Sequence, residues 1–188
     1  MVWGAFIGST KSPLVFLDGT QTAMTFIQQV YEPHLRPFYN FMFNAPYIRT
    51  RDCITMMEDG SPIHTAQILN EWRATNQINK FPWPAHSPDL NPIENVWKVM
   101  KTHVTKHHQP HTMDELCAAT KSSWDDLSPA FLRNCSLVCT TEWRQLLNAM
   151  VDRRDVSKDM FRGTVRPIST EDDFGILGQS LCLVVGNR

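Results

Sequence analysis

Two acids in this sequence stand where reactive groups are usually placed. Asp59 follows a compact apolar run of strand length, Cys53-Ile54-Thr55-Met56-Met57, and precedes the turn residues Gly60-Ser61-Pro62. Glu94 falls in the first turn of a helix opened by Asn91 as N-cap and Pro92 at the first helical position. Thirty-four residues lie between the acids (94 − 59 − 1). In α/β proteins, strand ends and the loops beside them carry much of the chemistry. Two carboxylates brought together repel unless a cation lies between them. Their hard oxygens suit Mg²⁺ or Mn²⁺, and a pair of such ions can activate a nucleophile and stabilise the leaving oxygen of a phosphodiester. A plainer assignment competes on the same residues: Asp59 as a turn acid before Gly60, and Glu94 as a partner of the helix dipole.

The elements that must position these acids are legible as patterns. Val2–Ile7 and Leu14–Leu17 read as two strands around the turn Gly8-Ser9-Thr10-Lys11-Ser12-Pro13. A helix is expected from Thr22 to about Arg36, with Phe26, Ile27, Val30 and Tyr31 at helical spacing and Pro33 as a kink or end. Residues 37–51 read as an irregular covering loop. The Asp59 strand, a helix over 64–74 and a short strand over 78–81 follow. Four prolines in residues 82–92 rule out a helix or inner strand there. Helices are expected from Pro92 to about Lys106, from Thr112 or Asp114 to about Trp124, and from Ser128 or Pro129 to about Met150. From Asp152 the composition turns polar, so 152–173 reads as linker or tail. Residues 174–188 contain a short apolar run, Leu181-Cys182-Leu183-Val184-Val185, as one strand or nothing stable. This order predicts an α/β domain built on a mixed sheet.

Composition sets outer bounds. The 188 residues are 42% hydrophobic and include six Trp and ten Phe, enough apolar material for a real core and too much for a disordered chain. Net charge is −1, so a DNA-binding surface has to be local. No run of about 18 apolar residues predicts a membrane span. Five cysteines without a CxxC pair read as free thiols. Met1-Val2-Trp3-Gly4 lacks the charged start of a signal peptide.

The wording around both acids is more specific than their spacing. Met57-Glu58-Asp59-Gly60-Ser61-Pro62-Ile63-His64 resembles the second-aspartate motif of mariner-type DDE transposases. Trp83-Pro84-Ala85-His86-Ser87-Pro88-Asp89-Leu90-Asn91-Pro92-Ile93-Glu94-Asn95-Val96-Trp97 resembles their glutamate motif. The separation of the two motifs is similar to that of the Tc-like branch of that superfamily. The resemblance covers about residues 1–150 and fades from Asp152 onward. It implies an RNase H-like fold over 1–151, with 152–188 as a divergent polar linker and tail. It implies Asp59 and Glu94 as catalytic metal ligands for Mg²⁺ or Mn²⁺, and it implies DNA, both transposon ends and target, as partner. Strand cleavage and strand transfer in the nucleus follow from the same resemblance, with a homodimer as the assembly to expect. His64 matches the motif's histidine, supporting the acid or a DNA phosphate. Lys98 and Lys101, on the Glu94 helix face, are candidates for phosphate contact or for a solvated face with an i, i+4 pair.

The resemblance also marks what this sequence does not show. In the family the first aspartate lies on the strand ahead of Val2–Ile7, a central strand paired on both sides. No residue precedes Met1, so that strand and its acid are expected to be lacking, and this chain alone is expected to be inactive. The alternative to an active transposase domain is therefore an inactive remnant that acts at most as a DNA-binding or interaction module. Ser61 and Gly60 replace the Ala and Asn common in relatives, with little effect expected. His103, His107, His108 and His111 cluster without zinc-site spacing and read as solvated or dipole-stabilised histidines. Cys135 and Cys139, i and i+4 on a helix, read as apolar packing. Trp83 and Trp97 read as core residues.

Overall fold

A computed structural model describes residues 1–44, 54–81 and 91–137, together with the backbone of 181–187. The elements are β1 (Val2–Ile7), β2 (Thr10–Lys11), β3 (Val15–Phe16), α1 (Ala23–Phe26), a π-helical stretch (Ile27–Leu35), α2 (Arg36–Phe43), β4 (Ile54–Met57), α3 (Pro62–Thr65), α4 (Gln67–Thr75), β5 (Asn79–Lys80), α5 (Pro92–His107), α6 (Met113–Asp125), α7 (129–137) and β6 (Leu181–Asn187).

One mixed sheet carries the strands in the order β2-β1-β6-β4-β5, with β3 also pairing β1. β1 turns back on itself through Gly8, whose φ of 57° suits glycine, into β2 and β3. β4 and β5 run parallel. Between β1 and β4 lies β6, antiparallel to β1 (Trp3↔Asn187, Gly4↔Gly186, Ala5↔Val185, Phe6↔Val184) and parallel to β4 (Ile54↔Leu181 through Met57↔Val184). The sheet position that the resemblance leaves for a strand ahead of β1 is thus held by the C-terminal apolar run. Its ladder satisfies the backbone groups of both neighbours.

Strand alternation sorts the core into two layers. Trp3, Ala5 and Ile7 of β1, with Ile54 and Met56 of β4, face the layer made by Phe26, Val30, Tyr31, Leu35, Tyr39 and Leu69. Phe6 faces the opposite layer, with Ile93, Val96, Trp97 and Met100 of α5 and Trp124 of α6. Gly4 lies on that second side. A Cβ there would stand 2.8 Å from the Trp124 ring, so the indole lies directly on the β1 backbone. Trp124 also donates from Nε1 to the Ser12 carbonyl at 2.9 Å.

The helical run after β3 is longer than the sequence pattern predicts. Thr22 caps it in a reciprocal box with Thr25. Pro33 neither ends nor breaks it, because the stretch around it widens to π-type bonding, which absorbs an irregular position. Residues 37–43, expected as loop, continue the helix, and Leu35, Phe38, Tyr39 and Met42 bury one face at i, i+3, i+4 and i+7. Two prolines masked that period. The helix expected over 64–74 is two pieces, α3 and α4, parted at Ala66, whose ψ of 140° is extended. The second and fourth strands of the sequence pattern are shorter than expected, Val15–Phe16 and Asn79–Lys80. α5 and α6 match, the latter with a Thr112–Glu115 capping box. Residues 82–90, with Trp83, and 138–180, with Cys139, lie outside the described residues.

Candidate metal and catalytic site

Ile54, Met56 and Glu58 alternate onto one side of β4, so the strand carries Glu58 into the same dry layer as its apolar neighbours. Its carboxylate is fully buried. An unpaired charge there would be very costly, and the surroundings remove that cost. Tyr31 donates from its hydroxyl to Oε1 at 2.7 Å, and Arg73 Nη1 and Lys80 Nζ each stand 3.1 Å from Oε2. The same cations reach onward. Lys80 Nζ donates to the carbonyls of Asp59 and His64, at 3.3 and 3.2 Å, and Arg73 Nη2 donates to the His64 carbonyl at 2.9 Å. Burial pushes the Tyr31 hydroxyl well above the usual phenol range, with the Glu58 charge adding to it. Burial also lowers Lys80, against the opposing pull of Glu58. The turn that holds Asp59 is therefore pinned by its backbone to a buried ionic cluster.

Asp59 stands two residues past the end of β4. Its Oδ1 accepts from His64 Nδ1 at 2.6 Å and from the Ser61 amide at 3.1 Å. Among the described residues its side-chain hydrogen bonds all fall on that one oxygen, and the carboxyl group is 42% exposed. The His64 bond, acting against partial burial, holds the Asp59 carboxyl down at about 2, well below its usual 3.8. His64 is itself buried, with its ring 5.1 Å from that of Phe26. Asp59 is thus an oriented carboxylate, ionised at neutral pH, with one oxygen anchored, which suits a hard cation on the other.

Glu94 is the third residue of α5, half-buried, with its amide bonded to the Asn91 carbonyl at 2.9 Å. Pro92 takes the first helical position as the sequence implies. Asn91 is the N-cap by backbone, though its side chain makes no cap bond. Lys98 and Lys101 are exposed on α5, away from its buried stripe of Ile93, Val96, Trp97 and Met100. Among the described residues no group of three or more His, Cys, Asp or Glu side chains is arranged to hold a metal ion. His103 lies near His107 and His108, with ring centroids 4.8 and 5.4 Å apart, without forming such a group.

Residues 3–117, more than half of the chain, match the family described as DDE superfamily endonuclease. The chain belongs to this family. Within it, the chain is 30% identical over 104 residues to the transposable element Tcb2 transposase of Caenorhabditis briggsae, which covers 55% of this chain and 35% of that protein. It is 32% identical over 102 residues to the transposable element Tc3 transposase of Caenorhabditis elegans, covering 53% of this chain and 28% of the relative. The chain spans about a third of the length of the curated relatives it matches. Its fold is similar to the crystal structure of the catalytic domain of Mos1 mariner transposase, with TM-score 0.56 at 14% identity over 77% of this chain and 76% of that one. The expected RNase H-like α/β fold and the Tc/mariner kinship are therefore both established. DDE superfamily endonucleases generally use divalent metal ions. Asp59, with its charge fixed and one oxygen unanchored, fits such an ion.

The sequence pattern did not single out Glu58, Tyr31, Arg73 and Lys80 as supports of the site. One signal was available: Glu58 continues the inward parity of Ile54 and Met56, and a carboxylate on that side of a buried strand demands cationic partners.

Proposed function

We propose that this domain binds divalent metal through Asp59 and Glu94 and acts on DNA as a transposase catalytic domain, cutting strands at transposon ends and joining them to a target. The observation that carries this reading is Asp59, an ionised carboxylate locked by His64 and the Ser61 amide at the end of β4. Bound Mg²⁺ or Mn²⁺ would supply the Lewis acidity for phosphodiester hydrolysis. The chain's own residues do the positioning. His64 and the Glu58 cluster fix where Asp59 stands, and the first turn of α5 favours the Glu94 charge. Lys98 and Lys101 are placed on an exposed face to meet phosphates, and His64 acts on DNA only through Asp59. Residues 1–151 carry the catalytic residues, in a sheet that β6 joins from outside that range. Residues 152–188 are a divergent segment whose end returns to the sheet. Action is nuclear, and the working assembly is a homodimer.

A second reading has its own observation. β6, the strand beside β4, contains no acid from Leu181 to Asn187. A two-carboxylate site supports metal binding better than turnover, so the chain alone would act as a DNA-binding or interaction module. Nicking of supercoiled plasmid with Mn²⁺ separates the two. Nicking that is lost in both Asp59→Asn and Glu94→Gln supports catalysis. Wild-type binding to DNA without nicking supports the module. Equal nicking by all three proteins would overturn the ligand assignment.

A further inference from the structure

β5 lies at one edge of the sheet, parallel to β4, with Lys80 opposite Met56. Glu58 comes two residues after Met56 and returns to the same face. From that register the Lys80 side chain reaches past the end of β4 into the turn that carries Asp59. An ammonium has three donors and no acceptor. Three acceptors meet this one: Glu58 Oε2 at 3.1 Å, the His64 carbonyl at 3.2 Å and the Asp59 carbonyl at 3.3 Å. Its donors are thus spent inside the protein, unlike those of the exposed Lys98 and Lys101.

The two carbonyls belong to the two residues whose side chains share the Nδ1–Oδ1 bond. Between them the turn closes on itself. The Ser61 amide donates to Asp59 Oδ1 at 3.1 Å, and the Thr65 amide donates to the Ser61 carbonyl at 3.1 Å. Arg73 Nη2 holds the His64 carbonyl from α4. Lys80 holds both ends from the neighbouring strand, while Glu58 supplies the charge that keeps the ammonium in place.

We propose that Lys80 is a positioning residue for Asp59, a clamp from β5 that holds the Asp59–His64 turn closed and so fixes where the Asp59 carboxylate points. The use of such a clamp rests on the reading of Asp59 as the acting acid. Its geometry does not. Lys80 touches neither DNA nor reacting atoms in this account. Its charge serves the turn alone.

The test is native-state amide exchange of the full chain with Lys80→Met, which keeps an apolar stem and removes the donors. Ser61 and Thr65 amides should exchange at least about tenfold faster than in wild type, the scale of losing hydrogen bonds from a charged group. The His64 Nδ1 proton should move upfield as its bond to Asp59 lengthens. The Ser12 amide, bonded to the Ala5 carbonyl at the opposite edge of the sheet, should keep its wild-type rate within about twofold. Equal acceleration of all three amides would mean that Lys80 only stabilises the fold, and unchanged Ser61 exchange would mean that the turn closes without it. Either result overturns the proposal. A second measurement needs no substitution and so survives a variant that fails to fold. In the wild type the Lys80 ammonium protons should exchange slowly enough to show NOEs to Asp59 and His64. An ammonium exchanging as fast as those of Lys98 and Lys101 overturns the clamp. The reading of Asp59 fails separately, if Asp59→Asn nicks DNA as wild type does while the Lys80→Met exchange pattern stands.

Discussion

His64 Nδ1 lies 2.6 Å from Asp59 Oδ1, and this bond is the largest of the influences that hold the acid ionised. Replacing His64 with Ala removes its largest influence, leaving partial burial and the Ser61 amide to act. The Asp59 carboxyl should then titrate nearer its ordinary value, 3.8, than the present value of about 2. Carbon-13 NMR of the labelled carboxyl follows this directly. A midpoint that stays near 2 in His64→Ala would show that the turn, and not the imidazole, holds the charge.

The same depression makes a statement about acid stability. The folded midpoint of Asp59 is lower than that of the unfolded chain, so its contribution is fully present above about pH 4 and is lost as pH falls through about 2. Asp59→Asn lacks this titration. Urea unfolding across that window should therefore show the wild type losing more stability than the variant. Parallel curves between pH 4 and 2 would contradict it.

Glu58 tests whether the buried cluster is structural support or incidental. Glu58→Ala leaves Arg73 and Lys80 without their shared carboxylate, and breaking a buried pair costs about 3–5 kcal/mol. Arg36→Ala breaks the exposed Glu32–Arg36 pair, where about 0–1 kcal/mol is expected. Chemical denaturation of both variants should give costs at least threefold apart. Similar costs would mean that the cluster holds the Asp59 turn no more firmly than a surface pair.

Gly4 offers a packing test of the layer beneath α5. A methyl group at this position meets the Trp124 ring at 2.8 Å, so Gly4→Ala should cost about 1–3 kcal/mol. Trp124→Phe removes the part of the indole that clashes. The double variant should then be more stable than the sum of the single costs, by at least about 0.5 kcal/mol. Additive costs would place the strain elsewhere.

The two acids proposed as ligands stand out in the sequence because their signals are local. Asp59 ends an apolar run and Glu94 follows an Asn-Pro helix start, so neither needs a distant partner to be recognised. α5 and α6 were legible for the same reason, through their caps and their 3.6-residue period. The irregular run across Ile27–Phe43 was harder. Pro33 and Pro37 signal breaks by local rules, yet the burial of Leu35, Phe38, Tyr39 and Met42 carries the helix through them. The place of β6 was not legible at all. Leu181–Asn187 is a short apolar run, and only long-range pairing with β1 and β4 decides that it lies at the centre of the sheet. The Glu58 cluster was hidden for a similar reason: Tyr31, Arg73 and Lys80 come from three separate elements, and no spacing along the chain announces their meeting.

In the proposed function Asp59 and Glu94 hold one divalent ion together. The most direct measurement is Mn²⁺ titration of the protein with carbon-13-labelled Asp and Glu carboxyls. The Asp59 and Glu94 resonances should broaden together at the lowest Mn²⁺ additions, ahead of the exposed acid Asp125 and the buried Glu58. If Asp59 and Glu94 broaden independently, or only alongside Asp125, the two acids do not share an ion.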